Sequence, residues 1–302
     1  MVTGGAGFIG SMLCRKLVEA GREVVVLDNL VNGRRELVDQ LGPRARLIVA
    51  DIRDEQAVNR AVGEALPRVV VHLAAIHFIP YCIAHPQESI AVNVTGTLNV
   101  LEACRVAQTE RVVVASTAAV YPVTDQPNRE TDPVGPVDIY GITKYTCELL
   151  AELYVRQTSR PCTAARIFNA VGSNETNPHL VPALVEQLNR GSRRVSLGNL
   201  EPYRDYIDTQ DLAEGLIALI RRPASGFEVF NVGSGNEYTV RQVVRLCEEI
   251  LGESIRIEQR PDLVRKVERM RLAVCIDKLS GQTAWGPRIS LRDTLRHLLN
   301  RA

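Results

Sequence analysis

Thr3-Gly4-Gly5-Ala6-Gly7-Phe8-Ile9-Gly10 stands near the start of the chain, and the next apolar run, Glu23-Val-Val-Val-Leu27, ends on Asp28. Gly4, Gly7 and Gly10 recur every three residues, with Gly5-x-Gly7-x-x-Gly10 nested among them. A strand that turns sharply into a helix beside a pyrophosphate needs such glycines. They serve the turn itself, the close approach of backbone to phosphate, and tight packing of helix on sheet. A helix starting near Gly7 would aim its unpaired N–H groups and positive dipole end at the phosphates. Asp28 lies eighteen residues beyond Gly10. A carboxylate there accepts both ribose hydroxyls of NAD and repels the 2′-phosphate of NADP. Strand, helix, strand and acid in this order predict a dinucleotide site; the plain alternative is a tight turn without a ligand. Only Met1-Val2 precede Thr3, so the first strand is expected to be shorter than the usual length of about five residues.

Bulk properties narrow the remaining classes. At 302 residues the chain can build a large core, as one big domain or two lobes. Its net charge is +1 and it has no basic block, which argues against a nucleic-acid or anionic membrane surface as partner. No apolar stretch reaches the roughly 18 residues that span a bilayer, and the start has no charged-then-apolar signal pattern. The seven cysteines are scattered, odd in number and lack any CxxC. They read as small hydrophobes in a reduced, cytoplasmic protein without disulfides or structural zinc. The five histidines show no metal-ligand spacing, so no metal is expected, and His85 and His297 read as structural.

Short apolar runs at 23–27, 45–50, 69–73, 111–115 and 162–167 alternate with helical patterns at 8–20, 54–65, 86–107 and 138–157. The runs are nearly all apolar, as in strands covered on both faces. The alternation predicts an α/β fold, a doubly wound parallel (Rossmann) sheet with ligands at the carboxyl ends of its strands. After residue 168 the rhythm changes, with helices expected at 178–190, 208–222, 239–252 and 289–300. We therefore expect residues 1–168 to form the cofactor domain, rejoined around 205–231, and 169–302 to form a smaller substrate lobe. Residues 122–136 carry four prolines and read as a loop.

Tyr140-Gly-Ile-Thr-Lys144 opens the helix at 138–157, and a spacing of four puts both functional side chains on one face. A tyrosine of pKa ~10 is a poor base at neutral pH, and moving it to ~7 takes about 4 kcal/mol of preference for the phenolate. A lysine one turn away and a positive nicotinamide ring are suitable sources. Ser116-Thr117-Ala118-Ala119 ends the strand at 111–115, so a hydroxyl of Thr117 stands where substrate belongs; a turn or cap hydroxyl is the alternative.

Together these residues resemble the extended short-chain dehydrogenase/reductase superfamily, in its nucleotide-sugar epimerase/dehydratase branch. The similarity covers nearly the whole chain. It rests on Thr3–Gly10, Asp28-Asn29-Leu30, Asp51-Ile52, His72-Leu73-Ala74-Ala75, Asn93-Val-Thr-Gly-Thr97, Ser116-Thr117, Tyr140/Lys144, Arg166-Ile-Phe-Asn169 and Arg204-Asp205-Tyr206-Ile207. The resemblance implies bound NAD, contacted by Gly4, Gly7, Phe8, Ile9, Gly10, Asp28, Asn29, Leu73, Ala74, Ala75, Tyr140 and Lys144, with Asp51 and Ile52 flanking the adenine. It implies a catalytic set of Thr117, Tyr140 and Lys144. It also implies a nucleotide-diphosphate sugar touched by Asn169 and Arg204, whose fork suits phosphate; Arg204 would serve equally in a surface pair with Asp205 or Asp208. Asn177-Pro-His179-Leu180-Val-Pro182 and Leu197-Gly-Asn199-Leu200 look like nucleotide-contacting stretches of the same branch. Arg265-Lys-Val-Glu-Arg269 resembles its late arginine motif, with Lys266 where a proline is usual, and makes Arg265 a second phosphate candidate. His77, after the fourth strand, is a candidate sugar contact or a plain loop histidine.

The branch shares an opening step in which Tyr140 removes a hydroxyl proton while hydride leaves the same carbon for NAD. A 4,6-dehydratase of the branch carries an acidic pair directly after its catalytic threonine. Here those positions are Ala118 and Ala119, which cannot transfer protons. A 4-epimerase needs no further acid, and small residues there would leave room for the ketosugar to turn. The sequence therefore points to an NAD-dependent nucleotide-sugar 4-epimerase. A 4-ketosugar reductase, which also needs only Tyr140, or a dehydratase is the second choice; a reductase often favours NADPH, which Asp28 argues against, although Arg34 and Arg35 could hold its 2′-phosphate. A non-catalytic NAD-binding regulator is disfavoured by the intact Tyr140, Lys144 and Thr117. Helices 86–107 and 138–157 could pair two copies into a homodimer, as in other members of the superfamily, or bury the same residues against the sheet.

Overall fold

The computed structural model describes residues 1–264 and 269–299. Strands β1 (Val2–Thr3), β2 (Val24–Asp28), β3 (Ala45–Val49), β4 (Val69–His72), β5 (Arg111–Thr117) and β6 (Cys162–Ile167) come in the first half. β7 (Asn169–Val171), β8 (Arg194–Leu197), β9 (Tyr203–Asp208), β10 (Phe227–Val232), β11 (Glu237–Thr239), β12 (Arg256–Gln259) and β13 (Arg271–Leu272) follow. The larger sheet is parallel throughout, in the order β10-β6-β5-β4-β1-β2-β3. The order reverses between β1 and β4, where a doubly wound sheet opens its ligand crevice.

β1 is as short as expected, yet it is pinned from both sides. The Met1 and Thr3 carbonyls accept Val71 N–H (2.9 Å) and Leu73 N–H (3.1 Å), and Gly4 N–H donates to the Leu27 carbonyl (2.8 Å). Val112, Val113 and Val114 of β5 are consecutive and all buried, which requires cover on both faces of the sheet. Helix Phe8–Glu19 packs on one face with Leu13 and Cys14; Ala61, Leu101 and Ala151 from later helices join the core on the other.

β5 runs two residues past the predicted end. Ser116 and Thr117 continue the register with Arg166 and Ile167 because buried partners accept their hydroxyl-bearing side chains. Helix Ile79–Ala84 had no signal in the sequence. The helix expected at 86–107 is broken by a π-helical turn at Ala91–Thr95, the kind of irregularity that tends to mark functional positions.

A second core gathers Leu184, Leu188, Val195, Val243, Val244 and Leu295 around β7, β8, β9 and β11. The return to the first sheet differs from expectation in two ways. β9 belongs to the smaller sheet, and only helix Thr209–Arg221 and β10 rejoin the larger one. Leu279 and Trp285 also bury themselves in the first core, so residues 277–289 do not belong wholly to a C-terminal lobe. Trp285 Nε1–H donates to the Asp211 carbonyl (3.0 Å), and the Asp211 carboxylate accepts Arg288 and Ile289 N–H (2.8 and 2.7 Å).

Candidate active site

The glycine turn is built by contact limits. A methyl on Gly10 would lie 2.1 Å from the Gly4 carbonyl oxygen, and one on Gly4 would lie 2.7 Å from Ala74 N. Gly4 also has φ +70°, a left-handed backbone that favours glycine. No side chain caps the helix that starts at Phe8, so its N-terminal N–H groups are left for an anion. Asp28 is buried at the end of β2 and accepts Ala6 N–H (3.0 Å) and Leu30 N–H (2.9 Å). Burial pushes its carboxyl upward while those two bonds pull it back. Asn29 donates to Asp51 (3.0 Å), and Arg53 grips the same carboxylate through Nε and Nη2. The Arg53 hydrogen bond is the main reason the Asp51 pKa falls to about 2. Ile52 is buried beside Gly96, and its carbonyl accepts Asn99 Nδ2–H (2.9 Å). Phe8, Ile9, Leu73, Ala74 and Ala75 remain partly open around the turn. Tight glycine contacts, uncapped N–H groups and a carboxylate at the next strand end fit NAD.

Beneath the turn, His72 is fully buried between Thr3 Oγ1 (2.6 Å) and Thr97 Oγ1 (2.9 Å). Burial, helped by nearby Lys144, lowers its pKa to about 3, so it is neutral at pH 7. It ties β1 and β4 to the helix Gly96–Val106.

Tyr140 is the second residue of helix Ile139–Thr158, capped by Asp138 accepting Gly141 N–H (2.8 Å). A methyl on Gly141 would meet the Ala119 carbonyl oxygen at 2.4 Å. The absent side chain lets the helix start touch the turn after β5, and this contact brings Tyr140 to Thr117. Thr117 Oγ1 accepts Ala119 N–H (3.1 Å), and its hydroxyl is near enough to Tyr140 to influence the phenol. Burial raises the Tyr140 pKa, with the Thr117 hydroxyl pulling the other way. Lys144 is 2 % exposed, and burial lowers its pKa against the opposing pull of Cys147 and Glu148. Asn93, in the π-helical turn, accepts Ile76 N–H (2.8 Å) and donates to the Ile76 carbonyl (2.9 Å) and Thr143 Oγ1 (3.0 Å). It thereby joins the loop after β4 to helix Ile139–Thr158.

Ala118 and Ala119 are both buried in the turn that follows β5. Arg269 clasps this turn from outside, donating to the carbonyls of Ala119 (2.9 Å) and Tyr121 (2.8 Å). It was legible only as the end of an arginine motif, and Arg265, the expected phosphate contact, lies outside the described residues. Asn169 donates to the Asp205 carbonyl (2.9 Å), which fixes β7 against β9. Arg204 Nη1 donates to the Tyr203 carbonyl (2.8 Å). The carboxylates offered to it as surface partners are committed elsewhere. Asp205 accepts Ser234 N–H and Oγ–H (both 2.8 Å), with its pKa pushed by burial to about 6, and Asp208 accepts Thr294 Oγ1–H (2.7 Å). Leu180 opens a helix on the second core, and Asn199 accepts Glu201 N–H (3.2 Å).

The histidines depart from the expectation that no metal set exists. His77, Glu175 and His179 offer donor atoms within 4.8 Å of one another. Two loops a hundred residues apart bring them together, which sequence spacing does not record.

The chain matches the model of the NAD dependent epimerase/dehydratase family over residues 1–233. It belongs to that family. Among its relatives, UDP-glucose 4-epimerase of Corynebacterium glutamicum is 34% identical over 304 residues, covering 95% of this chain and 90% of that one. The family fold is shared with solved structures. Thermus thermophilus UDP-glucose 4-epimerase in complex with NAD is 30% identical, with TM-score 0.91 over 99% of this chain and 97% of the other. Thermotoga maritima UDP-glucose 4-epimerase with UDP-glucose is also 30% identical, with TM-score 0.92 over 99% and 96%. Thr117 ends β5 at the carboxyl edge of the parallel sheet, and the helix that carries Tyr140 and buried Lys144 starts against the turn that follows it.

Proposed function

We propose that this protein interconverts the C4 epimers of a UDP-sugar, using NAD held in residues 1–168 and a substrate site completed from residue 169 onward. The carrying observation is Tyr140 one helical turn before buried Lys144, on a helix start that Gly141 lets press against the turn after Thr117, with no proton-transferring side chain at 118 or 119. When bound, NAD accepts and returns a hydride, and its oxidised ring brings a positive charge. Tyr140 takes the C4 hydroxyl proton with Thr117 bridging, and Lys144 favours the phenolate. Tyr140 then returns the proton after the ring has turned over. One acid–base residue suffices because the two half-reactions mirror each other. Gly4, Gly7, Phe8, Ile9, Gly10, Asp28, Asn29, Asp51, Ile52, Leu73, Ala74 and Ala75 hold NAD in this reading. Asn169, His179, Leu180, Asn199 and Arg204 face the nucleotide sugar, and His77 lies on the sugar side.

Two copies pair through Ile142, Leu149 and Leu153, which remain exposed along the catalytic helix. Among the described residues no helix is long and apolar enough to cross a membrane. All seven cysteines are free and six are buried, which suits a cytoplasmic location.

The test incubates purified protein, without added cofactor, with UDP-, GDP-, CDP- and dTDP-hexoses and hexuronates. A UDP product of unchanged mass with inverted C4, abolished by Tyr140→Phe while NAD stays bound, is expected. Loss of water, or turnover only with a supplied ketosugar and NAD(P)H, would overturn the assignment.

A further inference from the structure

His77 lies in the loop after β4, and Glu175 and His179 in the segment that follows β7. The imidazoles of His77 and His179 stack at 5.7 Å, with Phe78 edge-on to His179 at 5.3 Å. His77 Nε2 is 3.8 Å from Glu175 Oε2. Between them sits the Asn177 amide, its Nδ2 3.2 Å from both His77 Nε2 and Glu175 Oε1. The Asn177 amide and the Glu175 carboxylate both approach His77 Nε2, so this nitrogen faces into the cluster. Glu175 Oε1 also accepts Asn177 N–H (2.8 Å), which holds the carboxylate beside the two imidazoles.

We propose that His77, Glu175 and His179 form a site for a divalent transition-metal ion of the Zn²⁺ class, with its fourth position open to water or an oxygen ligand. Two imidazoles and one carboxylate are a known donor set for such an ion. Tetrahedral coordination places donors about 3.3 Å apart, so the 4.8 Å set closes with small side-chain rotations, and the ion takes the bridging position of the Asn177 amide. Arg34, from the loop after β2, donates to Asn174 of the same segment. The ion therefore clasps a segment that already touches the cofactor side.

The test uses the NAD-loaded protein, stripped with chelator and titrated with Co²⁺ and then Zn²⁺. Visible absorption, metal analysis and hydrogen exchange are the readouts. One ion per chain is expected, with slowed exchange at 73–78 and 172–179. His77→Ala, His179→Ala and Glu175→Gln should each weaken binding by more than about 100-fold, with NAD content and circular dichroism unchanged. Exposed His85→Ala should leave affinity alone, and Asn177→Ala, which removes the competing donor, should keep or strengthen it. Sub-stoichiometric binding, or equal affinity in all variants, would overturn the proposal. So would loss of binding in His85→Ala, or its loss in Asn177→Ala with the fold intact.

Discussion

A methyl group on Gly141 would lie 2.4 Å from the Ala119 carbonyl oxygen and 2.9 Å from Pro136 Cβ. Backbone on one side leaves little to yield, so Gly141→Ala must push the helix start away from the Thr117 turn. A misplacement of about 1 Å at reacting groups costs on the order of 100-fold in rate. We expect kcat of Gly141→Ala to fall by about that much with NAD content unchanged; a full-rate variant would remove the argument from close approach. Lys144 yields a pH prediction. With Tyr140 as the proposed base, kcat should rise with pH as the phenol ionises, and burial works against that ionisation. Removing the nearby cation by Lys144→Met should move that rising limb upward by about 1–3 pH units. An unmoved limb in a pH–rate profile would mean that Lys144 only positions its neighbours.

At the scale of elements, the catalytic helix is fastened to β5 and β6 by one buried charge pair. Arg166 Nε and Nη2 donate to the two oxygens of Glu148 (2.9 and 2.8 Å), and Ser116 Oγ–H donates to Glu148 Oε1 (2.5 Å). The Arg166 guanidinium also stacks on the Tyr121 ring at 4.7 Å, and the Tyr121 hydroxyl donates to Asn231 of β10 (2.7 Å). Breaking a buried pair by neutralising one partner costs about 3–5 kcal/mol because the other charge stays behind. Glu148→Gln should therefore lower stability by that order in denaturant unfolding. Replacing both partners with apolar residues of similar volume should cost much less. A Glu148→Gln variant of native stability would show the pair to be dispensable to the fold.

At the scale of the whole molecule, Ile142, Leu149 and Leu153 form one stripe on the catalytic helix, spaced by seven and four, and none is covered within the chain. The unaltered protein should sediment as a dimer and Leu149→Glu with Leu153→Glu as a monomer; a monomeric unaltered protein would sink the proposed pairing. Much of the architecture was readable beforehand because it rests on local spacing. Glycines at intervals of three, Asp28 at a strand end and Tyr140 one turn from Lys144 each lie within one unit of structure, where backbone geometry alone determines what neighbours what. Apolar runs likewise announced the parallel sheet, since strands buried on both faces have no polar side to alternate. What the spacing could not carry was any contact closed across the fold. Arg269 holds the turn 150 residues before it, His72 joins Thr3 to Thr97, and Trp285 returns to the first core. His77 meets Glu175 and His179 for the same reason. Such meetings depend on how loops of different strands converge at one end of the sheet. No periodicity encodes that convergence, and only the packed chain decided it.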